Sequence, residues 1–492
     1  MQIDYAALAP EIIVTAAACL VLLIDLVLRG RARVLTAYIG LASVLLALVI
    51  VAFKVGSEAT TTLGGLFVLD GFAVVMKLIF LATAAFVIWV SIPPMRGHRY
   101  EGEYVFLLLC SVLGTMLMPS SRDLLMLFIA LELVSAPAFV IAGLRKLNPR
   151  SNEAALKYFI FGVLSAGVFV YGISLVYGAI GATDLNEIAA RLQGAGPTGV
   201  SALLLTGIVF IIAAFGFKVS AVPFHFWAPD TYEGSPTPLA AFLSVGSKAS
   251  GFVGLLLILL IGFPNLSSDW GPYVGAIAMA TMIVGNVVAL RQRHLIRLLA
   301  YSSIGHAGYM LIPIAVIQPH TGEVTGANAD LVQSLVTYLA VYAVMTLGAF
   351  AVAIGISKQY PTLLIRDLAG LGRRAPLPAI ALAGFLISLG GIPPFAGWFA
   401  KFSVFTAAIG AGSTLGVVLA AMMVVTSVIS LYYYVGVIRV IFLEIPEDET
   451  AVRLPRPITL ATAVTSIGVV VLGIYPEPIA RLANAARLVL AG

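Results

Sequence analysis

Fourteen apolar runs, most of them close to or longer than the roughly 20 residues that carry a helix across a bilayer, fill this sequence of 492 residues. They lie near 10-28, 34-53, 71-92, 104-118, 122-144, 154-180, 199-229, 236-262, 272-290, 297-317, 330-357, 377-410, 413-443 and 457-474. Hydrocarbon offers no partner to a backbone N–H or C=O, so spanning segments are helices or strands of a closed barrel. Runs of this length exclude strands of about ten residues. The expected fold class is an all-α polytopic membrane protein with about fourteen transmembrane helices.

Two of the longest runs, 199-229 and 377-410, carry the same irregular phrase: PFHFW at Pro223 to Trp227 and PFAGW at Pro394 to Trp398. A proline removes a backbone donor and breaks a helix, and a break at membrane depth is tolerated only inside protein or beside water. The two prolines are 171 residues apart, which predicts a repeat of five helices per copy, each copy holding one discontinuous helix. Five is odd, so the second copy should sit inverted in the membrane. The expected divisions are an N-terminal three-helix segment over 1-103, repeats over 104-262 and 263-443, and a C-terminal helix and tail over 444-492.

Charge is scarce, at 10% of residues, and its placement is informative. With the N-terminus outside, eighteen Lys and Arg residues fall in inner loops and helix ends and five in outer ones. The positive-inside rule therefore puts both termini on the outer side of the cell membrane. It also accounts for the net charge of +5 without nucleic acid. Five of the 28 basic residues remain inside membrane segments: Lys77, Lys157, Lys218, Lys248 and Lys401. None is arginine, and a desolvated lysine can lose its proton near neutral pH whereas arginine effectively cannot. Reversible charging is what a proton relay needs.

Lys218 lies five residues before Pro223, Lys401 seven after Pro394, and Lys248 about twelve residues into its run. Such cations are expensive in lipid, by about 2.5 to 3.5 kcal/mol on insertion scales, and read by default as functional. Glu132, in LFIALELVSAPAF, is the carboxylate in mid-span, while Glu11 and Asp25 fall towards helix ends. His306, in RLLAYSSIGHAGYM, titrates near neutrality and suits a relay between lysines. Three candidates rank second. His225 follows the break among aromatic residues, and Lys77 and Lys157 lie close enough to helix starts for their stems to reach the interface.

Other readings are exclusions. Cys19 and Cys110 sit in apolar runs with no ligand spacing, so no iron–sulfur cluster, disulfide or metal site is expected. Asp4 and Glu11 flank the first run with no preceding basic residue, which argues for a retained helix rather than a cleaved signal. GAGPTG at Gly194 to Gly199 matches a dinucleotide-binding pattern in form only, since no strand precedes it, and is expected to be loop. DLNEIAARLQ from Asp184 and IARLANAARLVL near the C-terminus read as amphipathic interfacial helices.

FKVSAVPFHFWAPDTYEGSPTP, RLLAYSSIGHAGYM and SLGGIPPFAGWFAKF resemble phrases of the antiporter-like membrane subunits of respiratory complex I, NADH:quinone oxidoreductase. That family is related to subunits of multisubunit sodium/proton antiporters and membrane-bound hydrogenases. The resemblance runs from about residue 104 to 443. The opening PEIIVTAAACLVLLIDL, the lack of a long C-terminal lateral helix, and Lys401 where a sister branch has glutamate favour one branch of it. The resemblance implies that Glu132, Lys218, Lys248 and Lys401 are the family's buried proton-transfer residues and that His306 lies on the central axis between them. It implies a chain with no cofactor of its own, driven by quinone reduction in partner subunits that hold quinone, NADH, FMN and iron–sulfur clusters. Its partners are then the other membrane and peripheral subunits of complex I and the lipid bilayer. Glu132 is expected to pair with Lys218, and protons to pass to Lys248, His306 and Lys401. A sodium/proton exchanger subunit unconnected to electron transfer is the rival reading.

Overall fold

In the computed structural model, which describes residues 3–28, 33–195, 201–320, 324–446 and 450–489, the chain is almost entirely helical. Arg29, Arg31 and most of the GAGPTG stretch lie outside the described residues. The helices are α1 (Ala9–Val27), α2 (Val34–Ala52), α3 (Gly71–Met95), α4 (Glu101–Leu117), α5 (Leu124–Ala142), α6 (Pro149–Ile180), α7 (Leu185–Ala195), α8 (Ala202–Lys218), α9 (Trp227–Gly234) and α10 (Thr237–Phe242). They continue as α11 (Lys248–Leu257), α12 (Ser267–Ala289), α13 (Leu295–Ala315), α14 (Gly326–Ile356), α15 (Leu371–Arg374), α16 (Pro376–Gly390), α17 (Gly397–Gly410), α18 (Thr414–Leu443), α19 (Arg456–Ile474) and α20 (Glu477–Ala485). One element the apolar pattern does not announce is a short antiparallel hairpin, β1 (Thr60–Thr62) with β2 (Phe67–Leu69), between α2 and α3.

Among the described residues, twelve helices are long and apolar enough to cross a membrane. Two shorter apolar helices, α8 and α16, are each followed by a further helix, α9 and α17, and the interruptions fall at PFHFW and PFAGW. From α4 onward the elements run twice in the same order: two helices, a helix of 32 or 31 residues (α6, α14), an interrupted helix, and a final helix. Local pairing follows that order. The N-cap of α5, Asp123, forms an isolated antiparallel bridge with Asp184 beyond α6, and the N-cap of α13, His294, does so with Leu364 beyond α14.

Packing decides which apolar helices face lipid. The helix through α10 and α11, together with α13 and α14, is almost wholly buried, whereas α6, α18 and α19 expose an apolar face. Close approach uses small residues, as membrane interfaces do. A Cβ on Gly285 of α12 would lie 2.4 Å from the Gly305 nitrogen of α13, and one on Gly308 would lie 2.7 Å from the Met282 nitrogen. The amphipathic segments expected from Asp184 and near the C-terminus are α7 and α20.

Candidate proton-transfer site

Each break is held open by specific bonds, because the freed backbone groups must find partners. At the first, Trp227 Nε1 donates back to the Phe217 carbonyl at 3.0 Å, and the Val222 N–H donates to Thr281 Oγ1 at 2.9 Å. At the second, the Ala396 N–H donates to the Val469 carbonyl of α19 at 2.9 Å, and the Gly397 N–H to Ser388 Oγ at 3.0 Å. The lysines lie on opposite sides of these breaks. Lys218 is the last residue of α8, and Lys401 sits in the first turns of α17.

Lys218 is buried, and its Nζ donates to Ser135 Oγ of α5 at 2.8 Å, while that hydroxyl donates onward to the Leu131 carbonyl at 2.7 Å. The Lys218 stem lies against Gly251 of α11, where a Cβ would come within 2.9 Å of Lys218 Cγ. Lys248, three residues earlier on that helix, directly follows a π-helical turn, Leu243–Ser247, a distortion found frequently at functional sites. It is also buried, and Nζ donates to both the Oγ (2.8 Å) and the carbonyl (2.9 Å) of Ser303 on α13.

One turn further along α13 is His306, whose Nδ1 is 2.7 Å from Tyr338 Oη of α14 and whose Nε2 is 3.5 Å from Tyr434 Oη of α18. Tyr434 Oη in turn lies 2.5 Å from Ser302 Oγ. Lys401 Nζ donates to the Gly390 carbonyl at 2.9 Å, at the C-terminal end of α16 where a helix favours a cation, and lies 5.2 Å from the centre of the Tyr309 ring. Gly391 cannot bear a side chain there, because its φ is +86° and a Cβ would meet Lys401 Cδ at 2.7 Å.

These residues form one line of contacts through the apolar interior. Hydrogen bonds join Ser135 to Lys218, Lys248 to Ser303 and His306 to its tyrosine partners, while packing joins Lys218 to the Lys248 helix at Gly251 and His306 to Lys401 through the Tyr309 ring. Hydroxyls and imidazole donate and accept, so each can hand a proton on, while an ammonium on the line is bonded rather than bare. Comparison with known proteins agrees in kind. The sequence model of the NADH:quinone oxidoreductase/Mrp antiporter transmembrane family matches residues 121–430. The chain belongs to that family.

Within the NADH:quinone oxidoreductase/Mrp antiporter family, the chain is similar to the NADH-quinone oxidoreductase subunit N of Chloroflexus aggregans. The two are 39% identical over 496 aligned positions, covering 100% of this chain and 98% of that one. This is the branch that the opening sequence and Lys401 favour. A chain in the structure of respiratory complex I from Thermus thermophilus with bound aureothin superposes with a TM-score of 0.80 at 31% identity, covering 96% of this chain and 99% of that one. A chain of the Mrp complex from Dietzia sp. superposes at 0.84 with 19% identity over 98% and 96% of the two chains, a likeness of fold alone.

Four of the expected site residues, Lys218, Lys248, His306 and Lys401, come together on the line; the others lie apart from it. Glu132 does not pair directly with Lys218. Among the described residues no ion pair joins them, and Glu132 is half-buried one turn from Ser135, near enough for its charge to act on Lys218 through space. Lys77 does not reach for an interface. It is buried and pairs at 2.6 Å with Glu11, which lies in the first turn of α1, as its helix-end place predicts, and is itself buried. Lys157 does lie near a helix end and pairs with Glu153 and Asp230, each at 2.6 Å, while Asp230 also binds Arg297 at 2.6 Å. His225 is buried beside Phe226 with Nδ1 unbonded, away from the line. Arg122, one of the five basic residues that the charge pattern assigns to the outer side, is buried and paired with Asp70, the N-cap of α3, at 2.6 Å.

Sequence reading missed the bonding partners. Ser303 could have been found from its i,i+3 spacing to His306 in AYSSIGH, and Ser135 from the same spacing to Glu132. Tyr338 and Tyr434 lie in apolar runs with no such signal. Among the described residues no three His, Cys, Asp or Glu side chains cluster as metal ligands.

Proposed function

We propose that this chain is a proton-translocating membrane subunit of a bacterial NADH:quinone oxidoreductase, with Glu132, Lys218, Lys248, His306 and Lys401 as its proton-transfer residues. The observation that carries this reading is the pair of buried ammonium groups, Lys218 and Lys248, each bonded to a serine hydroxyl on a neighbouring helix, with Ser303 leading to His306 one turn away. Unpaired structural cations would have no reason to gather on one polar line.

The mechanism follows from electrostatics. A change of charge near Glu132 alters the field at Lys218, and in a poorly screened interior a unit charge a few ångströms away is worth several kcal/mol, enough to reorder proton affinities. Lys218 then releases its proton towards Lys248 across the Gly251 contact. Ser303 and His306 relay it to the tyrosine cluster and Lys401. Quinone reduction in partner subunits supplies the drive; quinone, NADH, FMN and iron–sulfur clusters belong to those partners, and this chain holds none. Both termini lie on the outer side of the cell membrane, and the two runs from α4 and from α12 are inverted copies.

The test replaces Lys218 and Lys248 singly with methionine and follows NADH:quinone turnover and acidification of inverted membrane vesicles. Both variants should lose most coupled pumping. Pumping at the wild-type level in both would refute the scheme, and sodium-dependent proton exchange without an electron donor would move the chain to the antiporter reading.

A further inference from the structure

An apolar cavity lies away from the proton line, between α16 and α19. It has a volume of about 510 Å³. Leu377, Ile380 and Gly384 line it from α16, at helical spacing along one face, and the two leucine and isoleucine side chains are mostly exposed. Thr459, Ala463 and Ser466 line it from α19 in the same way. From Leu377 to Ile387 the face runs about 15 Å at 1.5 Å per residue, half of a hydrocarbon core of about 30 Å and so the depth of one leaflet.

One end of the groove carries a charge pattern. Arg456 is one helical turn before Thr459 on the same face of α19. Arg439 stands in the same relation to Phe442, which closes that end of the groove from α18. Arg453 adjoins the lining residue Leu454, and the bond from the Val452 N–H to the Arg374 carbonyl (3.4 Å) ties its segment to the one that carries Arg373. All four arginines are exposed, and none has an ion-pair partner among the described residues, although Glu444 directly follows α18 and residues 447–449 are acidic in sequence. The other end reaches Phe395 within the second break, against which α19 packs so closely that a Cβ on Gly473 would lie 1.9 Å from the Pro394 carbonyl oxygen.

We propose that this groove binds one acyl chain of an anionic phospholipid, with the phosphate held by Arg373, Arg453 and Arg456. A membrane cannot leave an apolar trough empty. Guanidinium groups match phosphate in geometry and charge, and basic clusters at helix ends select anionic lipid. The chain terminus would rest against the segment that interrupts the α16–α17 crossing. The lipid is thus a packing element of the break rather than general solvent.

The assembled membrane complex is reconstituted in vesicles containing either a phosphatidylglycerol or a phosphatidylcholine with the same photoactivatable acyl chain, and labelled peptides are identified by mass spectrometry. Peptides of α16 and α19 should be labelled about tenfold or more in favour of phosphatidylglycerol. The preference should vanish in the Arg373→Gln, Arg453→Gln, Arg456→Gln triple variant, whose exposed side chains leave folding undisturbed, as co-purification of the partner subunits verifies. Ala463→Phe, which fills the trough, should lower labelling by both probes. Equal labelling by the two lipids, undiminished labelling of the triple variant, or no labelling because a neighbouring subunit's helix fills the groove would each overturn the proposal.

Discussion

Replacing Gly251 with alanine tests whether Lys218 must sit where it does. The new methyl would lie 2.9 Å from Lys218 Cγ and from Val219 Cγ1, and 3.2 Å from Lys218 Cβ. These atoms are near the backbone end of the side chain, so relief requires the whole lysine, or α8 itself, to move by several tenths of an ångström. Alanine is about 1 kcal/mol better than glycine in a helix interior, while overpacking costs about 1 to 3 kcal/mol, so the net loss of stability should be at most about 2 kcal/mol. The functional loss should be larger, because a displaced Nζ lengthens the 2.8 Å bond to Ser135, and a misplacement of about 1 Å can cost about a hundredfold in rate. Gly254, one turn on, supplies the control. A Cβ there meets Phe215 at 2.5 Å and Met118 Sδ at 2.8 Å but no lysine. Vesicle acidification and quinone reductase activity, each normalised to assembled complex on a native gel, should fall in Gly251→Ala well beyond Gly254→Ala. Equal losses in the two variants, or full pumping by the first, would refute the claim that Lys218 geometry limits transfer.

Three further outcomes follow from the same contacts. Tyr338→Phe removes the hydroxyl 2.7 Å from His306 Nδ1; pumping should slow while assembly is kept, and an unchanged rate would remove Tyr338 from the path. Arg122→Leu strands the buried Asp70 carboxylate and should cost about 3 to 5 kcal/mol, seen as lost assembly, whereas adding Asp70→Asn should recover much of it. His294, the N-cap of α13 outside the membrane, accepts the Ile296 N–H at 3.2 Å, and burial pulls its imidazole below the ordinary value, with Glu233 opposing and Arg297 reinforcing the shift. Between that lowered value and about 6.5 the unfolded chain binds more protons, so this contribution is fully present above about pH 6.5 and fades as pH falls through the window. Amide exchange at Ile296 should quicken on acidification, and His294→Asn, which caps without titrating, should abolish the effect.

The sequence by itself determined the fold class and the two places where an apolar run breaks. Apolar length and proline chemistry are local properties, and lipid allows a spanning backbone few alternatives. It also marked Lys218, Lys248, Lys401 and His306, because an ionisable group in an apolar run is visible without knowing its neighbours. What it could not supply was partnership. Glu11 and Lys77, 66 positions apart, look like separate charges until the packing of α1 and α3 around α2 and α4 brings the two side chains together. Arg122 looks like a loop cation until α3 offers it Asp70. Lys248 and Ser303 are 55 positions apart, and Lys218 finds Ser135 rather than the expected Glu132. Only tertiary structure decided these matches, because the cost of burying a charge is met by whichever donor or acceptor the packed helices bring within about 3 Å, and helix packing is set by small residues and side-chain shape spread along the whole chain.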